Sequence, residues 1–184
     1  TTLTNSTVSG NGADYGGGIF GSNSTTTLTN STVSGNSANN SGGGIFGYSS
    51  TTSLTDSTVS GNSATNGGGI FGFSSTTNLR STIVAQNVGD KDLGGSGFVS
   101  QGHNLIGNAD GVTFSPTTGD LVGSASGSGV INAELGPLQD NGGPTFTQAL
   151  LEGSPAIDAG SNPNSLPNDQ RGSDRTSGSA TDIG

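Results

Sequence analysis

The sequence predicts an all-β fold, a right-handed parallel β-helix (β-solenoid) with about 25 residues per coil and an irregular C-terminal cap. Two repeated blocks and the composition predict it. A ten-residue block occurs at 2–11, 27–36, 53–62 and, in degraded form, 78–87. A second block, Gly-Gly-Gly-Ile-Phe-Gly, occurs at 16–21, 42–47 and 67–72. Glycine supplies 35 of the 184 residues and charged residues only 9%, a balance that excludes a helical bundle.

Each period contains three apolar columns flanked by small polar residues, which is typical of short strands with one buried face. One repeat cannot bury a core, but stacked coils turn each column into a continuous inner ladder. The predicted core columns are Leu3, Leu28, Leu54 and Leu79; Val8, Val33, Val59 and Val84; and Ile19, Ile45 and Ile70.

Asparagine recurs once per period and predicts a second kind of ladder, at a corner of the coil. Identical amides stacked in register bond to one another in cross-β assemblies. The predicted ladder consists of Asn11, Asn36, Asn62 and Asn87. The glycines before each isoleucine are expected to allow a tight corner or close packing of neighbouring coils.

The tight repeat is lost after the fourth copy. We therefore predict repeat coils over 1–108, and last coils with a C-terminal wrap or cap over 109–184, all in one domain. The final stretch is rich in Ser, Asn, Asp and Pro, as expected of a segment that covers the last apolar layer. Four charged residues in it are predicted to form a buried ion-pair cluster that pins the wrap: Asp158, Asp169, Arg171 and Arg175.

Charge and composition exclude several classes of partner. The net charge of −9 argues against binding nucleic acid, which needs a basic surface. No apolar run is long enough for a membrane span, and the absence of cysteine removes disulfides and thiol chemistry. Because the chain begins at Thr1 without a signal peptide, it is expected to be a mature product or a fragment. With no segment before it, the first coil is expected to be covered by further chain or by another copy, and end-to-end stacking of copies would build a filament.

Candidate catalytic and metal-binding residues are few. Carbohydrate-active β-helices need paired acids on one groove wall, but Asp14 and Asp56 occupy different columns, so we predict no catalytic residue. The acid cluster around Lys91 is interpreted as a solvated loop. His103 is the single histidine and is expected to be a hydrogen-bonded loop residue. We predict no cofactor; calcium, which needs only oxygen ligands, has weak candidates in Asp90, Asp92 and Asp110.

Aromatic and hydroxyl side chains mark two candidate surfaces. If the repeat isoleucines point inward, strand alternation turns the next residue outward. The predicted outward column is Phe20, Phe46 and Phe71, with Tyr48 and Phe73 two residues further on. Two interpretations stay open: a contact surface, or a bend in the chain that buries the rings. The segments 2–4, 27–29 and 53–55 also place hydroxyls on both sides of an inward leucine, which is an ice-binding geometry.

Short motifs near the C-terminus carry a family resemblance. They are GPL at 136–138, DNGGP at 140–144, GSPAIDAG at 153–160, DQRG at 169–172 and DIG at 182–184. With the TNSTVSGN and GGGI repeats, they make nearly the whole chain resemble bacterial choice-of-anchor Q proteins, which are similar to polymorphic outer-membrane protein repeats. The resemblance implies a right-handed parallel β-helix, export to the bacterial surface and an anchor outside this sequence. It implies no catalytic residues.

The sequence therefore predicts a non-enzymatic extracellular structural or adhesive protein of a bacterial surface or matrix. Its predicted partner is either another copy of itself, stacked end to end into a fibre, or a surface glycan. A module that binds or degrades polysaccharide is the alternative, and an ice-binding protein is a third.

Overall fold

The computed structural model describes residues 1–176 and 178–184. They form an all-β solenoid of about four turns with roughly 25 residues per coil, as the repeat predicts. The described residues contain no helix, and hence none long and apolar enough to cross a membrane. Every strand pair in the solenoid is parallel, because each strand lies beside the equivalent strand of the next coil.

Four sheets form the walls of the solenoid. Sheet A contains β1 (Thr2–Thr4), β5 (Thr25–Thr29), β9 (Thr51–Thr55), β12 (Thr76–Arg80) and β15 (Phe98–Ser100). Sheet B contains β2 (Thr7–Ser9), β6 (Thr32–Ser34), β10 (Thr58–Ser60), β13 (Ile83–Ala85), β16 (Leu105–Ile106) and β17 (Leu121–Val122). Sheet C contains β3 (Gly12–Tyr15) and β7 (Ser37–Ser41). Sheet D contains β4 (Ile19–Ser22), β8 (Ile45–Tyr48), β11 (Ile70–Phe73) and β14 (Leu93–Gly95).

The pairing register places equivalent residues opposite one another, so the three predicted apolar columns line the interior. Leu28 pairs with Leu54, Val33 with Val59 and Ile45 with Ile70, and all of them are buried. Leu79 and Val84 continue the columns, also buried. Leu3, Val8 and Ile19 in coil 1 are only half-buried, because no coil covers them from above.

Left-handed backbone turns separate the sheets and give each coil four corners. The residues with positive φ stand in four columns: Asn5, Asn30, Asp56, Ser81 and His103 between sheets A and B; Gly10, Gly35, Gly61 and Gln86 between B and C; Gly16, Gly42 and Gly67 between C and D; and Asn23, Ser49 and Ser74 between D and A. Asn, Asp and Gly tolerate this conformation best, which explains their frequency in the sequence.

The predicted asparagine ladder lies at the corner between sheets B and C. Asn36 donates from its backbone N–H and its Nδ2 to Asn62 Oδ1, at 3.1 and 2.9 Å. Asn11 bonds to Asn36, and Asn62 to Asn87, in the same way. Each buried rung also donates to main-chain carbonyls, as Asn62 does to Val33 O at 2.9 Å. The third glycine of each triplet makes room for the ladder: a Cβ at Gly44 would lie 3.0 Å from Asn62 Nδ2.

An aspartate ends this ladder. Asn87 donates from its backbone N–H and Nδ2 to Asp92 Oδ1 at 2.9 and 2.8 Å, and Asn108 N donates to Asp92 Oδ2 at 2.7 Å. A second ladder lies at the corner between sheets A and B, where Thr82 N donates to Asn104 Oδ1 at 3.1 Å. It ends in the same way, since Asn104 donates from N and Nδ2 to Asp120 Oδ1 at 2.8 and 3.0 Å. A carboxylate suits the last rung because it only accepts.

The C-terminal region, predicted to form last coils with a wrap or cap, covers two different surfaces. Ala109, Val112, Phe114 and Val122 pack against the inner core at its far end. The chain then turns back along the side of the solenoid. We call residues 133–176 and 178–184 the strap. Its apolar side chains, among them Ile183, pack on the outward residues of sheet B, including Ile83 and Leu105. The strap packs along this side because the later strands of sheet B carry apolar side chains on their outer face as well as on their inner face.

Candidate functional site: the aromatic face

The outer surface of sheet D carries most of the exposed aromatic side chains of the repeat. We call this set the aromatic face; it consists of Tyr15, Phe20, Phe46, Phe71, Tyr48 and Phe73. Phe20, Phe46 and Phe71 form one row along the solenoid axis, with neighbouring ring centroids 5.5 Å apart and planes within 7° of parallel. Tyr48 and Phe73 form a second row with the same 5.5 Å spacing. Tyr15 packs edge-on against Phe46 at 5.2 Å.

Strand alternation and register build these rows. Ile45 points into the core, so Phe46 points outward, Gly47 inward and Tyr48 outward. A Cβ at Gly47 would lie 3.0 Å from Ser50 Oγ, so the inward position needs glycine. In-register pairing then stacks Phe20 on Phe46 and Phe46 on Phe71. Thus the rings point outward, as the contact-surface interpretation expects, although neighbouring rings bury the central one: Phe46 is 7% exposed and Phe20 54%.

A shallow groove of about 320 Å³ lies between the two rows. Its lining consists of aromatic side chains: Tyr15, Phe20, Phe46, Tyr48 and Phe73. The first row ends in coil 4, where Gly94 pairs with Phe71. A Cβ at Gly94 would lie 2.7 Å from Phe71 Cδ2, so this glycine allows the last ring to lie close to the backbone. The groove is therefore a carbon-lined channel about three coils long.

The three weak calcium candidates serve separate structural bonds. Asp90 pairs with Lys91 at 3.2 Å and accepts from Gly67 N at 2.9 Å. Asp92 is the buried end of the ladder. Asp110 accepts from the hydroxyls of Ser124 and Ser126. Among residues 1–176 and 178–184, no three acidic or histidine side chains are placed to hold a metal ion together.

Two of these carboxyl groups have shifted pKa values in opposite directions. Burial raises the pKa of Asp92 above its ordinary value of 3.8, against the opposing effect of the N–H groups of Asn87 and Asn108. Hydrogen bonds from Ser126 and Ser124 lower the pKa of the partly exposed Asp110. Both shifts have a structural origin, in a buried ladder end and a surface turn.

The predicted cap cluster does not form as one unit. Arg175 instead crosses to the repeat region and bonds to Asp56 Oδ1 at 3.0 Å and to Asn30 Oδ1 at 3.1 Å. Arg171 pairs with Asp169 two residues away, at 2.6 Å on the strap surface. Asp158 accepts from the backbone N–H groups of Ser179 and Ala180, which lowers its pKa. The predicted pairing therefore holds for Asp169 and Arg171 but was wrong for Arg175, because the strap runs along the side of the solenoid and brings Arg175 to Asp56.

The Asp56–Arg175 pair is deeply buried, with side chains 0% and 5% exposed. Burial raises the pKa of Asp56, although Arg175 opposes the shift. Asp56 Oδ2 and Arg175 Nε have no hydrogen-bond partner among the described residues. The pair lines a polar cavity of about 220 Å³ between the strap and sheet B. It anchors the strap at an electrostatic cost, because the attraction within a buried ion pair often does not offset the free energy lost when both charges leave water.

The remaining candidates lie on sheet A and at its corner with sheet B. His103 fills an A–B corner with φ of 56°, and its Nδ1 lies 3.0 Å from Ala159 O of the strap. The threonine ranks lie on the outer surface of sheet A, where Thr27 pairs with Ser53 and Thr29 with Thr55. The ranks end at Asn78 and Arg80, which pair with Ser53 and Thr55.

Sequence reasoning missed several residues. Tyr15 joins the aromatic face although its strand belongs to sheet C, and the one signal for it was its position just before a glycine triplet. Asp92 and Asp120 end the two ladders, but the coils around them are shortened, so no 25-residue spacing marks them. Arg175 and Asp56 are 119 residues apart, and no sequence pattern links them.

Comparisons of the chain with protein-family models, curated proteins and solved structures find no match.

Proposed function

We propose that this protein is a non-enzymatic structural or adhesive module of an extracellular bacterial surface. The observation that carries the proposal is the use of its acidic side chains. Eleven of the thirteen acids accept bonds from the chain's own groups: Asp14, Asp56, Asp90, Asp92, Asp110, Asp120, Glu134, Asp140, Asp158, Asp169 and Asp182. Acids that hold ladders, turns and the strap are poorly suited to proton transfer. The choice-of-anchor Q resemblance supports the extracellular setting.

A test of this proposal looks for turnover. The purified protein is incubated with a panel of neutral and acidic polysaccharides, and new reducing ends and unsaturated sugars are measured over a day. We expect neither product above the level of heat-denatured protein. Product formation that disappears in Asp90→Asn or Asp110→Asn would replace this proposal with a degrading enzyme.

Self-association is the second candidate function, and the strand edges at the Thr1 end of the described chain favour it. β1, β2, β3 and β4 are each the outermost strand of their sheet at this end. Thr27 N donates to Thr1 O and Asn5 N to Thr29 O, so β1 bonds to β5 through alternate residues. The N–H and C=O groups of Thr2 and Thr4 therefore face the open side. Exposed strand edges of this kind pair readily with another chain.

For this chain by itself, the two ends present different surfaces. The far end of the core carries Val112 and Phe114, whereas the Thr1 end exposes paired-strand edges. Two copies of this chain joined at their Thr1 ends would form a closed, two-fold contact.

Self-association is tested by sedimentation velocity and electron microscopy over a range of concentrations. We expect a reversible dimer of doubled length. Thr4→Pro removes one outward-facing N–H without touching the bonds to β5, so it should abolish the dimer, while Thr4→Ala should keep it. A monomer at every concentration, or a dimer that survives Thr4→Pro, would refute the contact; long regular rods would restore the filament.

A further inference from the structure

We propose that the aromatic face is a binding site for an uncharged polysaccharide, whose sugar rings pack across the groove on Phe20, Tyr48 and Phe73. The inference rests on the proposed adhesive function and names the ligand class of that surface. Its basis is an exposed, carbon-lined groove on a scaffold that otherwise presents Ser, Thr, Asn and Gly. Exposed apolar patches rimmed by polar residues usually mark contact sites.

Exposed area argues against a second copy of the chain as the occupant. Four rings of the face, those of Tyr15, Phe20, Tyr48 and Phe73, are about half exposed. An aromatic side chain buries roughly 150–250 Å², so these rings offer about 400 Å² in all. A stable protein interface needs about 800 Å² per partner.

The charge around the groove selects an uncharged ligand. The described side chains that line it are phenylalanine and tyrosine, with no ionised group among them. Asp14, one residue before Tyr15, is already bonded to Asn39 Nδ2 at 2.7 Å. The negative net charge of the whole chain disfavours an acidic polymer. Neither an acidic polysaccharide nor a cation-dependent bridge fits this lining.

The polar rim distinguishes a sugar from an alkyl chain. Tyr15 and Tyr48 line the groove with their rings, and both side chains, which end in hydroxyl groups, are exposed. Asn40 and Asn66 are exposed on the neighbouring wall, and Asn66 lies in the same column as Tyr15. A sugar ring has an apolar C–H face for the phenyl rings and a hydroxyl edge for these amides and phenols. An acyl chain would leave the rim unused.

The face is also ordered before any ligand arrives. Each ring stands on a strand paired on both sides or stacks against a neighbouring ring, so little side-chain freedom remains to be lost on binding. Preorganisation of this kind raises affinity by lowering the entropic cost of binding. The rows follow the solenoid axis, so a bound polymer would run across the strands and contact successive coils.

The test uses affinity gel electrophoresis and calorimetry on the intact chain. The ligands are hydroxyethylcellulose, xylan, a soluble β-1,3-glucan and starch as neutral polymers, with polygalacturonate as the acidic one. We expect binding to at least one neutral polymer. Phe20→Ala and Phe73→Ala should each weaken it about tenfold, as for a ring at the centre of a contact. Phe146→Ala is the matched control, because Phe146 is 56% exposed but lies on the strap.

Each other outcome overturns the inference. Binding that both Phe→Ala variants retain, binding lost equally in Phe146→Ala, preference for polygalacturonate, or no binding to any neutral polymer would each do so. Equal circular dichroism spectra and unfolding midpoints guard against a folding defect. This binding test and the turnover test of the proposed function can fail separately. Polysaccharide binding followed by release of cleavage products would refute the non-enzymatic role but keep the binding site. Absence of both binding and cleavage would refute only the binding site.

Discussion

The asparagine ladder provides the sharpest test of how this chain is held together, through the isosteric change Asn62→Asp. Asn62 Nδ2 donates to Val33 O, Ser60 O and Asn87 Oδ1 at 2.9, 3.1 and 3.0 Å. Aspartate keeps the shape and the accepted bonds, but it loses all three donated bonds and turns an oxygen toward three oxygens. The side chain is completely buried, so water cannot compensate.

The expected loss in free energy of unfolding follows from those three contacts. A buried group left without its partner costs about 1–3 kcal/mol, and three such contacts sharing one site give about 3–5 kcal/mol. Asn11→Asp is the matched control, because Asn11 stands at the exposed open end of the same ladder, and its loss should be about 1 kcal/mol or less.

The measurement is guanidinium unfolding followed by circular dichroism and by the fluorescence of Tyr15 and Tyr48. The midpoint should fall steeply for Asn62→Asp and little for Asn11→Asp, with an unchanged slope in both. If Asn62→Asp unfolds within about 1 kcal/mol of the parent chain, the ladder contributes little and the reasoning fails.

Three further predictions concern other parts of the scaffold. Arg175→Leu leaves Asp56 buried without its cation and should cost about 3–5 kcal/mol in chemical unfolding, whereas the double variant with Asp56→Asn should recover most of the loss. The pKa of Asp92 is raised in the folded state, so its contribution to stability is present below the ordinary pKa of 3.8 and is lost as pH rises through the folded value. Asp92→Asn should therefore make the unfolding midpoint fall less steeply with rising pH. Equal pH slopes for the variant and the parent chain would contradict the assignment. Gly44→Ala places a Cβ against Gly69 O and the Asn62 amide, so it should destabilise the fold more than Gly35→Ala does. Gly35→Ala adds only backbone strain at φ of 67°, because nothing lies within 4 Å of its Cβ. Thermal unfolding compares the two variants, and an equal loss of stability would mean that the space at Gly44 is not needed.

The sequence was sufficient to predict the parts of this fold that repeat. Periodicity identifies Leu28, Val33 and Ile45 as core because each inward column needs the same residue in every coil. It identifies the Asn36–Asn62 ladder for the same reason. The same argument fails for the strap, where Arg175 finds Asp56 across 119 residues and no period constrains either position. For the aromatic face, alternation predicts that the rings point outward, but only their packing decides how much of each remains exposed.

The chemistry of the ladder makes the two ends of the described solenoid different. An asparagine rung donates toward the next coil and accepts from the previous one, so a column of asparagines has a direction. At the far end the ladder stops at Asp92, because this carboxylate accepts hydrogen bonds from Asn87 and has no N–H group in its side chain to donate further. At the Thr1 end, Asn11 donates to Asn36 but its Oδ1 receives no bond from the described residues. A coil placed on this end would therefore meet free carbonyl groups, open strand edges and half-buried Leu3, Val8 and Ile19 together. Polar and apolar groups thus distinguish the Thr1 end of the described chain from the end at Asp92, and the aromatic face lies on the side of the solenoid, apart from both.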